Sequence, residues 1–193
     1  MEKSRDYLER QLYFLSDKEL KSRRELEQQK ELSKLNVQDI QKGFLLDYQH
    51  ETWEVVEETQ YDWEQGSSDK LFELKNAQNK SVLLFVCQNM AIYDTWIEEK
   101  FNYQDTVKSK LDKINYETAL KFDFKGQTFL KKQIDVGYRY VAGTYKGKKI
   151  KQHKYICQDE KQSFRIITYK GEISMLFLGT KVSNFEFSSV LNT

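Results

Sequence analysis

Two stretches of nine residues decide the fold: LLDYQHETW at 45–53 and KFDFKGQTF at 121–129. In each stretch an Asp precedes an aromatic residue, and a Thr-aromatic pair comes four residues after that aromatic. The second stretch has Lys125-Gly126 at its centre, a favourable pair for a tight turn between two strands. We therefore predict that the chain contains two related β-rich halves, each opening with such a turn.

The first stretch has Gln49-His50 where the second has Lys125-Gly126, and His tolerates positive φ better than most residues. Later aromatic residues also match in pairs, Tyr61 with Tyr138 and Trp63 with Tyr140. The offset of these pairs is one residue larger than that of the two stretches. Because one inserted residue makes a bulge and reverses the facing of every later residue in the strand, we expect a β-bulge between residues 130 and 137, near Gly137.

From Phe44 onward, apolar and polar residues alternate, which is typical of antiparallel strands with one wet face. We predict four to five strands in each half, with the halves at 37–104 and 105–193. Their apolar faces either pack against each other as in a sandwich or continue into one barrel.

The N-terminal part predicts helix instead. Leu8, Leu12 and Leu15 repeat at helical spacing within residues 4–35, where a first helix is expected to end near Leu15 and a second to begin at Asp17. A further short helix is expected at 105–115. The predicted fold class is therefore α+β, with a helical arm at 1–36 followed by a mostly antiparallel β domain at 37–193.

The composition predicts a folded protein without a membrane-spanning segment. Aromatic residues make up 14% of the chain, and no run of about 18 apolar residues occurs. The first residues, MEKSRDYLER, lack the apolar region of a secretory signal. Cys87 and Cys157 lie in apolar runs and are predicted to be reduced, so a cytoplasmic location is expected.

Side chains that commonly carry catalysis are sparse. His50, His153, Cys87 and Cys157 are single and scattered, whereas metal sites need several ligands at close spacing. No constellation of acid, base and nucleophile is recognisable. We therefore predict no catalytic residue, no metal site and no cofactor.

The segment GFLLDYQHETWEVVEETQYDWEQGSSDKLFEL resembles the bacterial family catalogued as domain of unknown function 4178. The closing segment YICQDEKQSFRIITYKGEISMLFLGTKVSNFEFSSVL is similar to the end of that family, so the resemblance covers residues 38–191. It implies no established activity and no catalytic residues, although members occur beside membrane-associated proteins and polyamine-related enzymes. Many members also carry a zinc-ribbon-like cysteine segment, which residues 1–43 lack because they contain no cysteine.

The segment YKGKKIKQHK at 145–154 is a candidate anion-binding site. Its lysines are Lys146, Lys148, Lys149, Lys151 and Lys154. They either bind nucleic acid, polyphosphate or anionic lipid, or keep an exposed sheet edge from pairing with another chain. With one Tyr and no Arg in the segment, sequence-specific nucleic-acid recognition is not predicted.

Two further groups of residues are candidates for binding. The aromatic group either lines a small-ligand cleft between the halves or packs in the core, and it comprises Trp53, Tyr61, Trp63, Tyr138 and Tyr140. The acidic face of one strand either attracts polycations or is simply solvated, and it comprises Glu54, Glu58, Asp62 and Glu64.

Acidic residues predominate in 36–104 and basic residues in 105–193. Either the two parts attract each other, or the basic part faces an anionic partner. We expect a non-catalytic cytoplasmic binding or scaffold protein, which docks a protein or membrane-associated partner through the N-terminal helices or the basic hairpin. The alternative is a domain that binds a small ligand or a polyamine-like polycation.

Overall fold

The computed structural model describes residues 37, 39–89, 92–101, 115–183 and 186–192. Nearly all of them belong to β-strands or to the turns between strands. In chain order the strands are β1 (Phe44–Tyr48), β2 (Glu51–Trp63), β3 (Ser68–Asn76), β4 (Ser81–Asn89), β5 (Ile92–Phe101), β6 (Lys121–Phe124), β7 (Gln127–Val141), β8 (Lys148–Cys157), β9 (Gln162–Tyr169), β10 (Glu172–Val182) and β11 (Ser188–Asn192).

The α+β prediction is wrong. The described residues contain no α-helix and form a single antiparallel sheet. The helical arm predicted at 1–36 lies outside the described residues, and so does the helix predicted at 105–115, except for Asn115.

The sheet closes on itself through a pairing between β2 and β7. Neighbouring strands have the order β11-β1-β2-β3-β4-β5-β10-β9-β8-β7-β6. The end of β2 also pairs with the end of β7, from Thr59 opposite Val141 to Trp63 opposite Gly137. The eight strands from β2 round to β7 therefore form a closed ring, called the ring below, and β1, β6 and β11 lie outside it.

Strands of the two halves come in the same order. In each half a short strand, β1 or β6, pairs with a long one, β2 or β7, and three more strands of the ring come after it. The second half adds one further strand, β11, which pairs with β1. Three antiparallel pairings join the halves: β2 with β7 and β5 with β10 within the ring, and β1 with β11 outside it. One continuous sheet therefore holds both halves, and they do not pack as two separate sheets.

Both predicted tight turns are present. Gln49 and His50 have φ of 50° and 65°, and Lys125 and Gly126 have φ of 47° and 78°. Positive φ at both central residues is what a two-residue type I′ hairpin requires, since its twist matches that of the flanking strands. The turn is therefore built in the same way in both halves.

The repeated Asp and Thr have a physical role beside these turns. Thr52 Oγ1 donates a hydrogen bond to Asp47 Oδ1 at 2.7 Å, and Thr128 Oγ1 donates one to Asp123 Oδ1 at 2.6 Å. In both hairpins the two residues are direct cross-strand partners. The repeat in the sequence thus encodes a side-chain bond across each hairpin.

The predicted bulge is confirmed between residues 130 and 137, although it lies between Lys131 and Gln133 and not at Gly137. Strand β2 has a register shift of its own between Val55 and Glu57, which the repeat did not predict. Each shift reverses the facing of the residues that follow it in the strand.

Strands β2 and β7 each carry one bulge, so neither has an extra residue relative to the other. Tyr138 therefore does not occupy the position of Tyr61: Tyr61 is fully buried, whereas Tyr138 is 40% exposed. At the seam β2 and β7 approach closely, since a Cβ added at Gly137 would lie 2.1 Å from the carbonyl oxygen of Asp62. Glycine at position 137 is thus required for this close approach.

Three apolar clusters hold the sheet together. The cluster inside the ring includes Tyr61, Phe85, Trp96 and Phe177. The β1–β2 hairpin covers a second cluster, and the β6–β7 hairpin covers a third. Each fully buried large apolar side chain contributes about 1.5–3 kcal/mol, so all three clusters are substantial sources of stability.

Candidate functional site

A groove of about 960 Å³ opens where β7 ends and β8 begins, and we call it the basic groove. Its cationic lining residues are Arg139, Lys146, Lys148, Lys149 and Lys170, and no acidic side chain lines it among the described residues. The volume is at the upper end of the roughly 300–1,000 Å³ usual for ligand sites. The groove is therefore large and positively charged.

Arg139 gives the groove a cationic floor. It lies on β7 opposite Tyr61 in the seam and beside Lys148 of β8. Its Nε atom is buried and has no hydrogen-bond partner among the described residues. Arg139 also lines a smaller space together with Glu57 and Glu73.

Of the groove lysines, Lys149 is engaged. Its Nζ lies 2.8 Å from Glu64 Oε1, and this hydrogen bond raises the pKa of Lys149 above its ordinary value. Lys146, Lys148 and Lys170 make no ion pair with the described residues. Their charges thus remain available to a ligand.

Aromatic rings accompany the cations. Tyr169 lines the groove, and the Nζ of Lys170 lies 5.4 Å from the centroid of its ring. Tyr145, in the turn between β7 and β8, is fully exposed. Both rings offer flat faces next to positive charge.

Two more tyrosines lie on the other face of β7. The ring centroids of Tyr138 and Tyr140 are 6.5 Å apart. Tyr138 is the cross-strand partner of Lys149, and a Cβ added at Gly147 would lie 2.6 Å from the ring of Tyr140. The tyrosine pair therefore reaches the rim of the groove from the outside of the ring.

The predicted lysines separate into two groups. Lys146, Lys148 and Lys149 line the groove, but Lys151 contacts Glu117 and Lys154 points into another cavity. Sequence reasoning missed the groove residues outside the basic segment, which are Arg139, Val141, Thr144, Tyr169 and Lys170. The alternation of side chains along β7 and the turns after β7 and β9 place these residues at the groove. The sequence alone does not show this placement, because it depends on which strands pair.

The predicted aromatic group does not line one cleft. Tyr61 and Trp63 stack inside the ring with their centroids 5.7 Å apart. Trp53 is buried in the cluster under the β1–β2 hairpin, while Tyr138 and Tyr140 lie outside the ring. The register shift in β2 is the reason, because it places Trp53 and Tyr61 on opposite faces of the sheet.

The predicted acidic face is partly paired. Glu58 Oε1 lies 3.1 Å from Lys70 Nζ, and Glu64 is engaged with Lys149. Asp62 accepts a hydrogen bond from Gln60, and Glu54 is exposed. These side chains therefore form no concentrated cation site.

A second space, the polar cavity, has a volume of about 320 Å³ and is lined in part by Trp63, Asp69, Asp135 and Lys154. Trp63 Nε1 donates to Asp69 Oδ2 at 2.8 Å. The Nζ of Lys154 lies 3.1 Å from the Sγ of Cys87, and burial raises the pKa of the Cys87 thiol. A thiol that is held protonated is a poor nucleophile.

A buried charge pair connects the polar cavity to the centre of the ring. Arg165 and Glu98 are fully buried, and two hydrogen bonds of 2.6 Å join them. Arg165 also donates to Gln152 at 2.6 Å, and Gln152 donates to Asp135 at 3.1 Å. Burial alone would lower the pKa of Arg165, but the charge of Glu98 outweighs it and raises that pKa. The guanidinium lies 3.5 Å from the ring centroid of Phe85. The pair therefore anchors the interior of the ring.

Among the described residues, no group of three His, Cys, Asp or Glu side chains is placed to hold a metal ion. Within the same part of the chain, no helix is long and apolar enough to cross a membrane. Comparison with protein-family models, curated proteins and solved structures gave no match. The resemblance to the domain of unknown function 4178 family therefore stays a prediction.

Proposed function

We propose that this chain is a non-catalytic binding protein that docks an anionic partner in the basic groove. The observation that carries this proposal is the charge of the lining, which includes Arg139 and four lysines and, among the described residues, no carboxylate. Cations gathered along one low-dielectric surface raise the local concentration of anions and speed their association.

Docking of a phosphate-bearing anion has a measurable signature. Each phosphate that a Lys or Arg neutralises releases condensed counterions, so affinity falls steeply with salt. For four such contacts we expect affinity to fall about 50- to 150-fold between 50 and 200 mM salt. A ligand held mainly by apolar contact would show almost no such loss.

The test is isothermal titration with inorganic polyphosphate at both salt concentrations. The groove variant is Lys146→Ser/Lys148→Ser/Lys170→Ser. The control variant removes the same charge from exposed lysines elsewhere, at Lys42→Ser/Lys121→Ser/Lys161→Ser. We expect the groove variant to lose most of the binding and most of the salt dependence. Equal losses in both variants would mean that net charge alone, and not the groove, attracts the anion.

A second candidate function rests on the polar cavity, where three carboxylates outnumber two lysines and favour a small cationic ligand such as a polyamine. The carboxylates are Asp69, Asp94 and Asp135, and the lysines are Lys132 and Lys154. Asp135 is 2% exposed, and it accepts hydrogen bonds from Gln65, Gln133 and Gln152. A ligand that binds only the folded chain raises its melting temperature. Spermidine should therefore stabilise the chain, and Asp135→Asn should abolish that stabilisation. No shift in the unsubstituted protein rules this candidate out.

Docking through residues 1–36 stays a prediction, since they lie outside the described residues. It is tested by comparing partner capture by the full chain and by a chain starting at Asn36. We also infer that the two halves arose by duplication, supported by the shared strand order and by the Asp-Thr bond in both hairpins. The buried cysteines, which form no disulfide, support a cytoplasmic location.

A further inference from the structure

We infer that the anionic partner of the basic groove is a single-stranded nucleic acid, bound without sequence preference. This rests on the proposed function and adds an aromatic requirement to it. Proteins that bind single strands in this way combine a positively charged groove with aromatic side chains on which bases stack. The basic groove and its rim carry both features.

Cations and tyrosines are interleaved on both faces of β7. On the groove face, Arg139 and Lys148 are cross-strand partners, and Tyr169 lines the same space. On the outer face, Tyr138 is the cross-strand partner of Lys149, a groove-lining lysine that is paired with Glu64. Tyrosines thus flank the groove cations on both faces of the strand, and rings beside positive charge are the combination that a base and its phosphate require.

The two faces meet at the turn between β7 and β8. Gly147 lines the groove, and its backbone packs against the ring of Tyr140 on the other side. Tyr145, in the same turn, is fully exposed. A ligand that uses both faces must therefore bend round this turn while it keeps negative charge along its length.

That geometry discriminates among polyanions. A membrane is flat and reaches only one face of a strand at a time. A nucleic-acid duplex is stiff over about 150 base pairs and keeps its base faces stacked inside. Inorganic polyphosphate bends but has no rings, so it would leave the tyrosines unused. A single strand bends and presents the flat face of every base.

Sequence preference is not expected. Base edges are read by Arg and Lys at guanine, by Asn and Gln at adenine and by Asp and Glu at cytosine. Among the described residues, no Asn, Gln, Asp or Glu lines the groove, and we assign its arginine and lysines to the phosphates. Stacking is tolerant of sequence because each base has a similar flat face.

The test measures fluorescence anisotropy of the full chain with labelled 12-nucleotide strands. One strand is oligothymidine, one is an abasic strand of equal length and charge, and one has mixed sequence. Stacking of a single base is expected to make oligothymidine bind about tenfold tighter than the abasic strand. Oligothymidine and the mixed strand should agree within about threefold.

The aromatic variant is Tyr138→Ser/Tyr145→Ser, which changes two exposed side chains. It should bind oligothymidine as weakly as the unsubstituted chain binds the abasic strand. The control variant, Leu120→Ser/Ile134→Ser, removes two exposed apolar side chains that do not line the groove and should bind as the unsubstituted chain does.

Each other result has a distinct meaning. Equal binding of oligothymidine, abasic strand and polyphosphate overturns the inference and leaves the anion-docking function standing. Tighter binding to vesicles containing about 30% anionic phospholipid than to oligothymidine overturns it in favour of a membrane surface. If neither polyphosphate nor any strand nor vesicle binds, the proposed function fails together with the inference.

Discussion

Replacing one member of the Arg165–Glu98 pair should be among the most damaging single substitutions in this chain. Both side chains are fully buried, and two hydrogen bonds of 2.6 Å join them. Arg165→Met leaves the Glu98 carboxylate buried without its counter-charge. Losing one partner of a buried pair costs about 3–5 kcal/mol, and Glu98→Leu should cost a similar amount.

The double variant Arg165→Met/Glu98→Leu separates the charge effect from loss of packing. Replacing both members of a buried pair by apolar residues is often nearly neutral. Here the Gln152 side-chain oxygen would also lose its donor from Arg165, at a cost of about 1–3 kcal/mol. We therefore expect the double variant to be destabilised by only about 1–3 kcal/mol, far less than the sum of the two single changes.

Urea unfolding monitored by tryptophan fluorescence measures these effects. With a slope of roughly 2 kcal/mol per molar urea, a single substitution should lower the midpoint by about 2 M. The matched control is the exposed pair Lys125–Glu99, whose side chains are 54% and 65% exposed. Lys125→Met/Glu99→Leu should change stability by no more than about 1 kcal/mol. Additive single effects in Arg165→Met/Glu98→Leu, or single costs below about 1 kcal/mol, would refute the reasoning.

Local geometry supports three smaller predictions. Burial lowers the pKa of His153 below its ordinary value. The charges of Lys151 and Lys131 lower this pKa further, and together these effects outweigh Glu117, which raises it. As pH falls, the unfolded chain therefore binds the His153 proton before the folded chain does, and the melting temperature should drop between about pH 7.5 and 5.5. The drop should be smaller in His153→Gln. Equal drops in the two proteins would contradict this prediction. Gly137→Ala should destabilise by at least about 2 kcal/mol in urea unfolding, because the added Cβ would lie 2.1 Å from a carbonyl oxygen of β2, and an unchanged midpoint would disprove the close approach. Thr52→Val and Thr128→Val should each cost about 0.5–1.5 kcal/mol, and clearly unequal costs would show that the two hairpin bonds are not equivalent.

The tight turns were predictable from the sequence, whereas the face of the sheet on which each side chain lies was not. The tight turns at Gln49-His50 and Lys125-Gly126 result from residue preferences, since only two positions decide each of them. The matching of Tyr138 to Tyr61 failed because the register shift after Val55 leaves no mark in the sequence. A one-residue shift in strand register moves every later side chain to the other face.

The central features were also beyond sequence reasoning. Glu98 and Arg165 lie 67 positions apart and are two strands apart in the sheet, so only the strand order brings them together. Arg139 was missed for a related reason, since its role depends on the pairing of β7 with both β2 and β8. Long-range pairings of this kind result from topology, which residue periodicity does not specify.

The charge asymmetry of the chain is only partly satisfied by pairing between the two halves. Part of it joins the halves, because Glu64 and Glu98 of the first half pair with Lys149 and Arg165 of the second. The remaining positive charge lies on the second half, in the basic groove, which no acidic side chain among the described residues lines. The two interpretations of the asymmetry are therefore compatible, because different cations carry them.

Removing Glu64 should consequently strengthen binding in the basic groove while weakening the seam, since the charge of Lys149 would then be available to the anion. Glu64→Gln should tighten polyphosphate binding at about 50 mM salt by about two- to fivefold and lower the melting temperature slightly. Weaker polyphosphate binding in this variant would show that Lys149 contributes to the groove only when Glu64 holds it in place.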